Sequence, residues 1–339
     1  MARPYGLLRA GFPYLKTLGM RRLTNFPVGI ALGPEGTGRM FILCRQEGAA
    51  LVRKYSFDDE DGGTFGEVGD EEGKLQWPVS IIADSEENVY ISDEALDRIS
   101  SFDSDGEFLA CFGEPGSGEG QFNRPAGMAF DADENIYIVD SMNHRVQKFA
   151  KDGQFILGWG SFGDGDAQFD MPWGITVDEL GDVYVADWRN DRIQKFSADG
   201  EFVMKFGTSG SADGEFDRPT DVAVDLDGDI YVCDRGNNRV QLFNQEARYV
   251  EKFLGAATLS KIGREYMMTN ASPNRIRDMA VLEPQKFLRQ PRSIAVDASG
   301  HLFITDTGSY RVQVYQKEAI HLEPHQFAPP MRSVTLHQE

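Results

Sequence analysis

Cysteine is scarce in this chain: three residues in 339, Cys44, Cys111 and Cys233, odd in number and far apart. Such a set offers neither a disulfide framework nor a Cys-x-x-Cys pair. Positive charge is also short, 34 Lys plus Arg against 54 Asp plus Glu, which leaves a net −20. Phosphate repulsion would oppose encounter with RNA or DNA, so nucleic acid is a disfavoured partner. No run of 18 apolar residues occurs, and no helical membrane span is expected. The first 23 residues, MARPYGLLRAGFPYLKTLGMRRL, scatter Arg and Lys and lack a clean apolar core with a cleavage site. They make a poor signal peptide, and a cytoplasmic location is the expectation. What is plentiful is core material, 41 % apolar residues with 23 Phe, and 36 Gly for tight turns. Length alone would suggest two or three domains.

A repeat overrides that estimate. RPAGMAFDADENIYIVDSMNHRVQKF (124–149), MPWGITVDELGDVYVADWRNDRIQKF (171–196) and RPTDVAVDLDGDIYVCDRGNNRVQLF (218–243) share one frame. It returns in WPVSIIADSEENVYISDEALDRISSF (77–102) and QPRSIAVDASGHLFITDTGSYRVQVY (290–315), with a degenerate copy at 26–55. The anchor prolines Pro27, Pro78, Pro125, Pro172, Pro219 and Pro291 lie 51, 47, 47, 47 and 72 residues apart, so the last interval carries 25 extra residues. Six units make one domain, 24–320, with an insertion at about 255–288. A segment 1–23 precedes it and a tail 321–339 follows.

Each unit reads as four strands. A short apolar segment after the Pro, such as Gly174–Val177, meets an Asp-rich turn. A β-branched and aromatic run such as Val183–Ala186 ends in Asp-x-x-x-x-Arg, and a third strand such as Ile193–Phe196 follows. An Asp-Gly hairpin at Asp199–Gly200 then leads to a fourth. The second strand barely alternates in polarity, as a strand covered on both faces should. Four-stranded sheets repeated around a circle make a six-bladed, all-β propeller. The sixth unit lacks its fourth strand, and residues 11–19, GFPYLKTLG, match the fourth strand at 200–207. They are expected to complete that blade and close the ring.

The pattern Pro-x-Gly-Ile-Ala-x-Asp, Tyr-Val-x-Asp, Asn-x-Arg-Val-Gln-x-Phe resembles the NHL repeat. The resemblance covers residues 24–315 and implies that the loops before each Pro and after each second-strand Asp share one face around a central channel. The NHL family includes protein- and RNA-binding propellers, sensor domains and a few lyases, so the fold does not choose a function. Its peptidyl-amidoglycolate lyases hold zinc with three His placed just after anchor prolines. Here those positions are Val28, Val79, Ala126, Trp173, Thr220 and Arg292, and none is His. That zinc site is disfavoured, and no metal ligand is assigned.

Several motifs read as architecture. The pairs Asp93/Arg98, Asp140/Arg145, Asp187/Arg192, Asp234/Arg239 and Asp306/Arg311 recur once per unit and suit a bidentate clamp at a strand corner. Catalysis would need one such site, not five. Unit one has Cys44 and Arg45 instead, a worn terminal copy more than a reactive thiol. The glycine-rich stretches 112–122, 159–169 and 206–216 lack Gly-Lys-Ser/Thr and read as crossings between blades. Asp225-x-Asp227-Gly228-Asp229 has Gly236, not Glu, at the twelfth position of a calcium loop and reads as a hairpin turn.

The residues that differ between units are more informative. Around the anchors of the shared face lie Trp77, Arg124, Trp173, Arg218, Asp221 and Arg292; the second-strand corners add Arg45, Trp188, Arg189, Arg235 and Tyr310. Trp and Arg are the residue types of binding hot spots. The insertion with its flanks, 251–292, carries eight basic residues against four acidic ones and is expected to leave from the mouth face, with a helix over Arg275–Leu282. Two readings stand. One is a non-catalytic binding or scaffold propeller that takes a protein or a small anionic or aromatic ligand at the mouth, with no cofactor. The other is a channel-mouth lyase or hydrolase with a divalent metal near Asp221. Oligomeric state is left open.

Overall fold

The structure is a computed structural model and describes residues 6–21, 23–46, 48–269 and 283–322. Six four-stranded antiparallel sheets follow one another around a ring. In blade four the strands are Pro172–Val177, Val183–Asp187, Arg192–Phe196 and Phe202–Phe206, from the channel outward. Val, Ile and aromatic side chains fill these segments because both faces of every blade pack on neighbours. Blade six consists of Pro291–Val296, His301–Asp306 and Arg311–Gln316, with Tyr14–Leu18 as its outer strand. The register Tyr14↔Tyr315 and Leu18↔Val312 places the closing strand inside the expected 11–19.

A second pairing lies outside the six sheets. Gly6–Gly11 runs antiparallel to Glu318–Leu322, so both chain ends leave the ring as one ribbon. Lys317 anchors it, its ammonium lying 2.6, 2.7 and 2.9 Å from Asp225, Asp227 and Asp229 of blade five. Arg9 adds a Nε–H bond of 2.8 Å to Asp229, and His321 lies 2.6 Å from Asp227. The Asp-x-Asp-Gly-Asp hairpin thus uses its carboxylates to hold the termini.

The core between blades repeats with the sequence. Phe122, Phe169 and Phe216, each the last residue of a glycine-rich crossing, are wholly buried, and Phe149, Phe196 and Phe243 of the third strands stack near them. Each ring contributes about 2–3 kcal/mol by leaving water. Near the channel the inner strands approach closely. A Cβ on Gly174 would stand 2.5 Å from the Asp221 Cα and from the Thr220 carbonyl, so only glycine fits.

The Asp…Arg corners are built differently from a bidentate clamp. Arg145, Arg192, Arg239 and Arg311 each give Asp a single Nε–H bond of 2.7–2.8 Å. Their remaining N–H groups bind backbone carbonyls of the preceding crossing, as Arg145 does at Ser117, Gly118 and Gln121. The Asp completes its set with Asn and Gln side chains (Asn190 and Gln194 at Asp187) and a backbone N–H from Asp170. Each corner therefore staples a glycine-rich loop to its blade. Burial lifts the Asp140, Asp187 and Asp234 carboxyls above the usual range, against the pull of these donors.

Asp93 and Arg98 do not pair. Blade two has Leu96 and Ser100 where blades three, four and five carry Asn and Gln. Without those donors the Asp93 carboxylate turns to the backbone N–H groups of Gln76, Trp77, Ala95 and Leu96. Arg98 still staples the crossing through Asp70, Glu71 and Lys74, but its Nε finds no partner.

The expected helix at Arg275–Leu282 lies outside the described residues. The described α-helix of the insertion is Lys261–Thr269. It does not cover the mouth. Asp59, in the turn before the outer strand of blade one, accepts N–H bonds from Gly19 (2.8 Å) and Ile262 (2.9 Å), fastening the helix to the ring seam.

Candidate binding site at the channel mouth

Register defines the mouth. Pro172 pairs with Asp187 and Asp187 with Arg192, so the start of the inner strand and the corner between strands two and three share one edge. A register shift follows the anchor Pro in every blade, as between Pro172 and Ile175 or Pro219 and Asp221. The displaced post-proline residues leave the ladder and line the channel. The residue before the Pro is left-handed in five blades, with φ of 49–57° at Phe26, Arg124, Met171, Arg218 and Gln290. In four of these its N–H is held by the preceding blade: Arg124 by Asp97, Met171 by His144 Nδ1, Arg218 by Asp191 and Gln290 by Asn238. His144 is thereby a structural acceptor in the slot that Asp and Asn fill elsewhere.

Three guanidiniums converge from different blades. Arg45 is buried, stacks 4.3 Å above the Trp77 ring and donates to the Pro78 carbonyl at 3.0 Å. Arg235 and Arg292 are half-buried, and the Nε of each is enclosed without an acceptor. Burial and the neighbouring Arg235 and Arg45 charges push Arg292 down to about 10. Arg45 and Arg235 are lowered too, first by burial. Carboxylates lie around this group: Glu94, raised by burial and drawn back by Arg45, Arg124 and Arg292, with Asp93 acting on Arg45 and Asp217 on Arg235. Glu94 was not among the expected residues, although it occupies the same corner slot as Trp188 and Arg235.

Trp173 and Trp188 sit together on blade four, ring centroids 6.3 Å apart. The other expected residues spread along the rim. Arg218 pairs with Asp217 at 2.8 Å, Arg189 stands 3.9 Å from Asp170, and Tyr310 packs edge-on against Phe26 at 4.8 Å. Asp221 lies below the mouth, accepting N–H bonds from Ile294 and Val222 at 3.0 Å; burial pushes its carboxyl up to about 7.

The channel is pinched beside Asp221. Val28, Val79, Gly127, Trp173, Thr220 and Arg292 surround a space of about 20 Å³. Below it the channel widens to about 290 Å³, lined by Ile30, Met128, Ile175 and Val222 among others. Among the described residues no three His, Cys, Asp or Glu side chains are grouped to hold a metal ion. Cys44 is no nucleophile, since burial pushes its thiol up to about 12.

Sheet count, closure and channel define a six-bladed β-propeller. The family model of the NHL repeat matches residues 122–149, 169–196, 216–243 and 288–315, and the chain is an NHL-repeat propeller. Blades one and two, with the worn corner at Cys44 and the unpaired one at Asp93, fall outside the matched stretches. No curated protein matches the chain. Among solved structures it is similar to a streptogramin B lyase, 13 % identical, covering 90 % of this chain and 98 % of that one with a TM-score of 0.57. A catalytically inactive histidine-to-alanine virginiamycin B lyase from Staphylococcus aureus with quinupristin is 12 % identical, covering 90 % and 99 % with a TM-score of 0.59. A protein of unknown function from Bacteroides thetaiotaomicron is 17 % identical, covering 94 % and 76 % with a TM-score of 0.61. At such identities the likeness establishes the fold.

Proposed function

We propose that the chain is a non-catalytic binding propeller that holds an anionic ligand or an acidic partner segment at its channel mouth. The observation that carries this reading is the convergence of Arg45, Arg235 and Arg292 on one opening, where each guanidinium is desolvated and Arg292 feels the like charges of the other two. Removing like charges from water beside one another costs free energy, and an incoming anion offsets it. Arg235 and Arg292 are only half-buried, so the open part of each guanidinium can meet an acceptor on a ligand. Fluorescein-labelled oligoglutamate, followed by anisotropy, tests the reading. Wild type is expected to bind despite its net −20, more weakly as salt rises. Arg292→Gln and Arg235→Gln should each weaken binding about ten-fold, the worth of one charge-assisted hydrogen bond. No binding at low salt, or binding indifferent to both substitutions, refutes it.

A channel-mouth lyase or hydrolase is the second reading. It is favoured by Asp221, a channel carboxyl held near 7, where a general base works best. A stoichiometric divalent metal in purified protein, with turnover abolished by Asp221→Ala, would replace the binding reading with this one.

A further inference from the structure

We infer that the protein carries a second site, on the face opposite the mouth, that takes a small neutral aromatic molecule with one hydroxyl or ring N–H donor. A cavity of about 430 Å³ opens between the first turns of blades one and six, residues 33–38 and 297–300. These turns lie at the far end of the inner strands from the anchor prolines, as the pairs Pro291↔Asp306 and Val296↔Leu302 show. A space of several hundred cubic ångströms, apolar with a few polar groups, is the usual form of a small-molecule site. Leu32, Met40, Val296 and Phe303 line it, and the Phe57 and His301 rings meet there at 4.7 Å.

Departures from the repeat meet at this place. In other blades a lysine holds the first-turn Asp: Lys151 lies 2.7 Å from Asp84, Lys148 2.9 Å from Asp131 and Lys317 2.6 Å from Asp225. Tyr184 and Tyr231 donate to Asp178 and Asp225 at 3.3 and 2.9 Å. In blade six Phe303 faces Val314 at the register where Tyr137 faces Lys148 and Tyr184 faces Lys195. Blade one has Gly33 in place of the Asp, and its turn closes from Gly33 to Arg39 where blade two closes from Asp84 to Asn88. The locus has thus lost its lysine, its tyrosine hydroxyl and one Asp, and it keeps a single polar pair. His301 stands four residues after Asp297, as Asn88 does after Asp84 and Asn135 after Asp131. Those amides donate to their Asp at 3.0 Å. His301 does the same through Nδ1, 2.7 Å from Asp297, while its backbone N–H donates to the same carboxylate at 2.8 Å. An imidazole held this way keeps Nε2 as an acceptor, and among the described residues no donor meets it. Charge narrows the ligand further. Arg39 at the rim is held by Glu87 at 2.6 Å, and Lys16, 3.5 Å from the Phe57 ring centre, is bonded to the Phe57 carbonyl. No described cation lining the cavity is therefore free for a carboxylate or phosphate. Glu35 is exposed, so an ammonium beside it stays in water and gains little.

Four probes of similar size test the site by NMR titration of the histidine-labelled protein: toluene, p-cresol, p-toluate and 4-methylbenzylamine. p-Cresol is expected to bind about five-fold tighter than toluene, the worth of one hydrogen bond, and to shift the Nε2 resonance of His301. His301→Asn keeps the cap that Asn88 and Asn135 provide elsewhere but removes the acceptor, so p-cresol and toluene should then bind alike. Val296→Phe fills the cavity and should abolish binding of both. Arg292→Gln at the mouth should leave all four affinities unchanged, which separates this site from the anionic one. Equal affinity for p-cresol and toluene in wild type, or a preference that survives His301→Asn, overturns the donor assignment. Tighter binding of p-toluate or 4-methylbenzylamine than of p-cresol overturns the neutral class. Binding of none of the four, or binding indifferent to Val296→Phe, overturns the site.

Discussion

Replacing Asp221 by Asn should make the protein more stable in mild alkali and less stable in acid. The carboxyl, ordinarily 3.8, is held at about 7 by burial, against the N–H groups of Ile294 and Val222 and the Ser293 hydroxyl. Its folded value lies above its unfolded one, so the folded chain binds the proton more tightly. The stability this contributes is complete below about pH 4 and is lost as pH rises towards 7. A gap of three units corresponds to about 4 kcal/mol at 1.36 kcal/mol each. Asn cannot ionise and escapes that loss, but its amide NH₂ faces a backbone N–H in place of an acceptor, costing about 1–2 kcal/mol. The net expectation is a loss of about 1–2 kcal/mol at pH 4 and a gain of about 2–3 kcal/mol at pH 8. A chain of 339 residues has an unfolding entropy of about 0.7 kcal/mol/K, so the gain amounts to about 3–4 °C in Tm. Differential scanning fluorimetry of both proteins across pH 4–8 measures the crossing. A difference that is constant with pH, or an Asn variant no more stable at pH 8, would refute the burial argument.

Two further outcomes follow from the same contacts. Asp187→Ala leaves Arg192 without its carboxylate and should cost about 3–5 kcal/mol. Hydrogen exchange should rise in the crossing 163–170, which Arg192 and Asn190 staple, and unchanged protection there would show that the corner does not hold the loop. Lys317→Met leaves Asp225, Asp227 and Asp229 facing one another, and the terminal ribbon should exchange about ten-fold faster at 6–11 and 318–322 while the blades keep their protection. Equal exchange in the ribbon would assign its stability to strand pairing alone.

Much of the architecture was legible because each blade is a local pattern. The 47-residue spacing, the strand runs and the spare segment at 11–19 lead directly to six closed sheets. The exceptions are those in which a side chain chooses among partners. Asp93 and Arg98 keep the corner spacing but not the corner, because Leu96 and Ser100 remove the amide donors that orient the carboxylate elsewhere. Lys317 and the Asp225 hairpin, 92 residues apart, gave no sign in sequence of belonging together. At the mouth, Arg45, Arg235 and Arg292 were visible as departures from the repeat, yet Arg218 and Arg189 were equally visible and end beside Asp217 and Asp170 on the rim.

Sequence by itself therefore determined the number of blades, their strand order and the way the ring closes, since hydrogen-bond pairing and apolar periodicity act over a few residues at a time. Only the tertiary structure decided which charges meet. Guanidiniums from blades one, five and six share an opening with Glu94 because curvature brings the starts of distant strands to one axis, and distance and burial, not spacing along the chain, set the strength of an electrostatic contact.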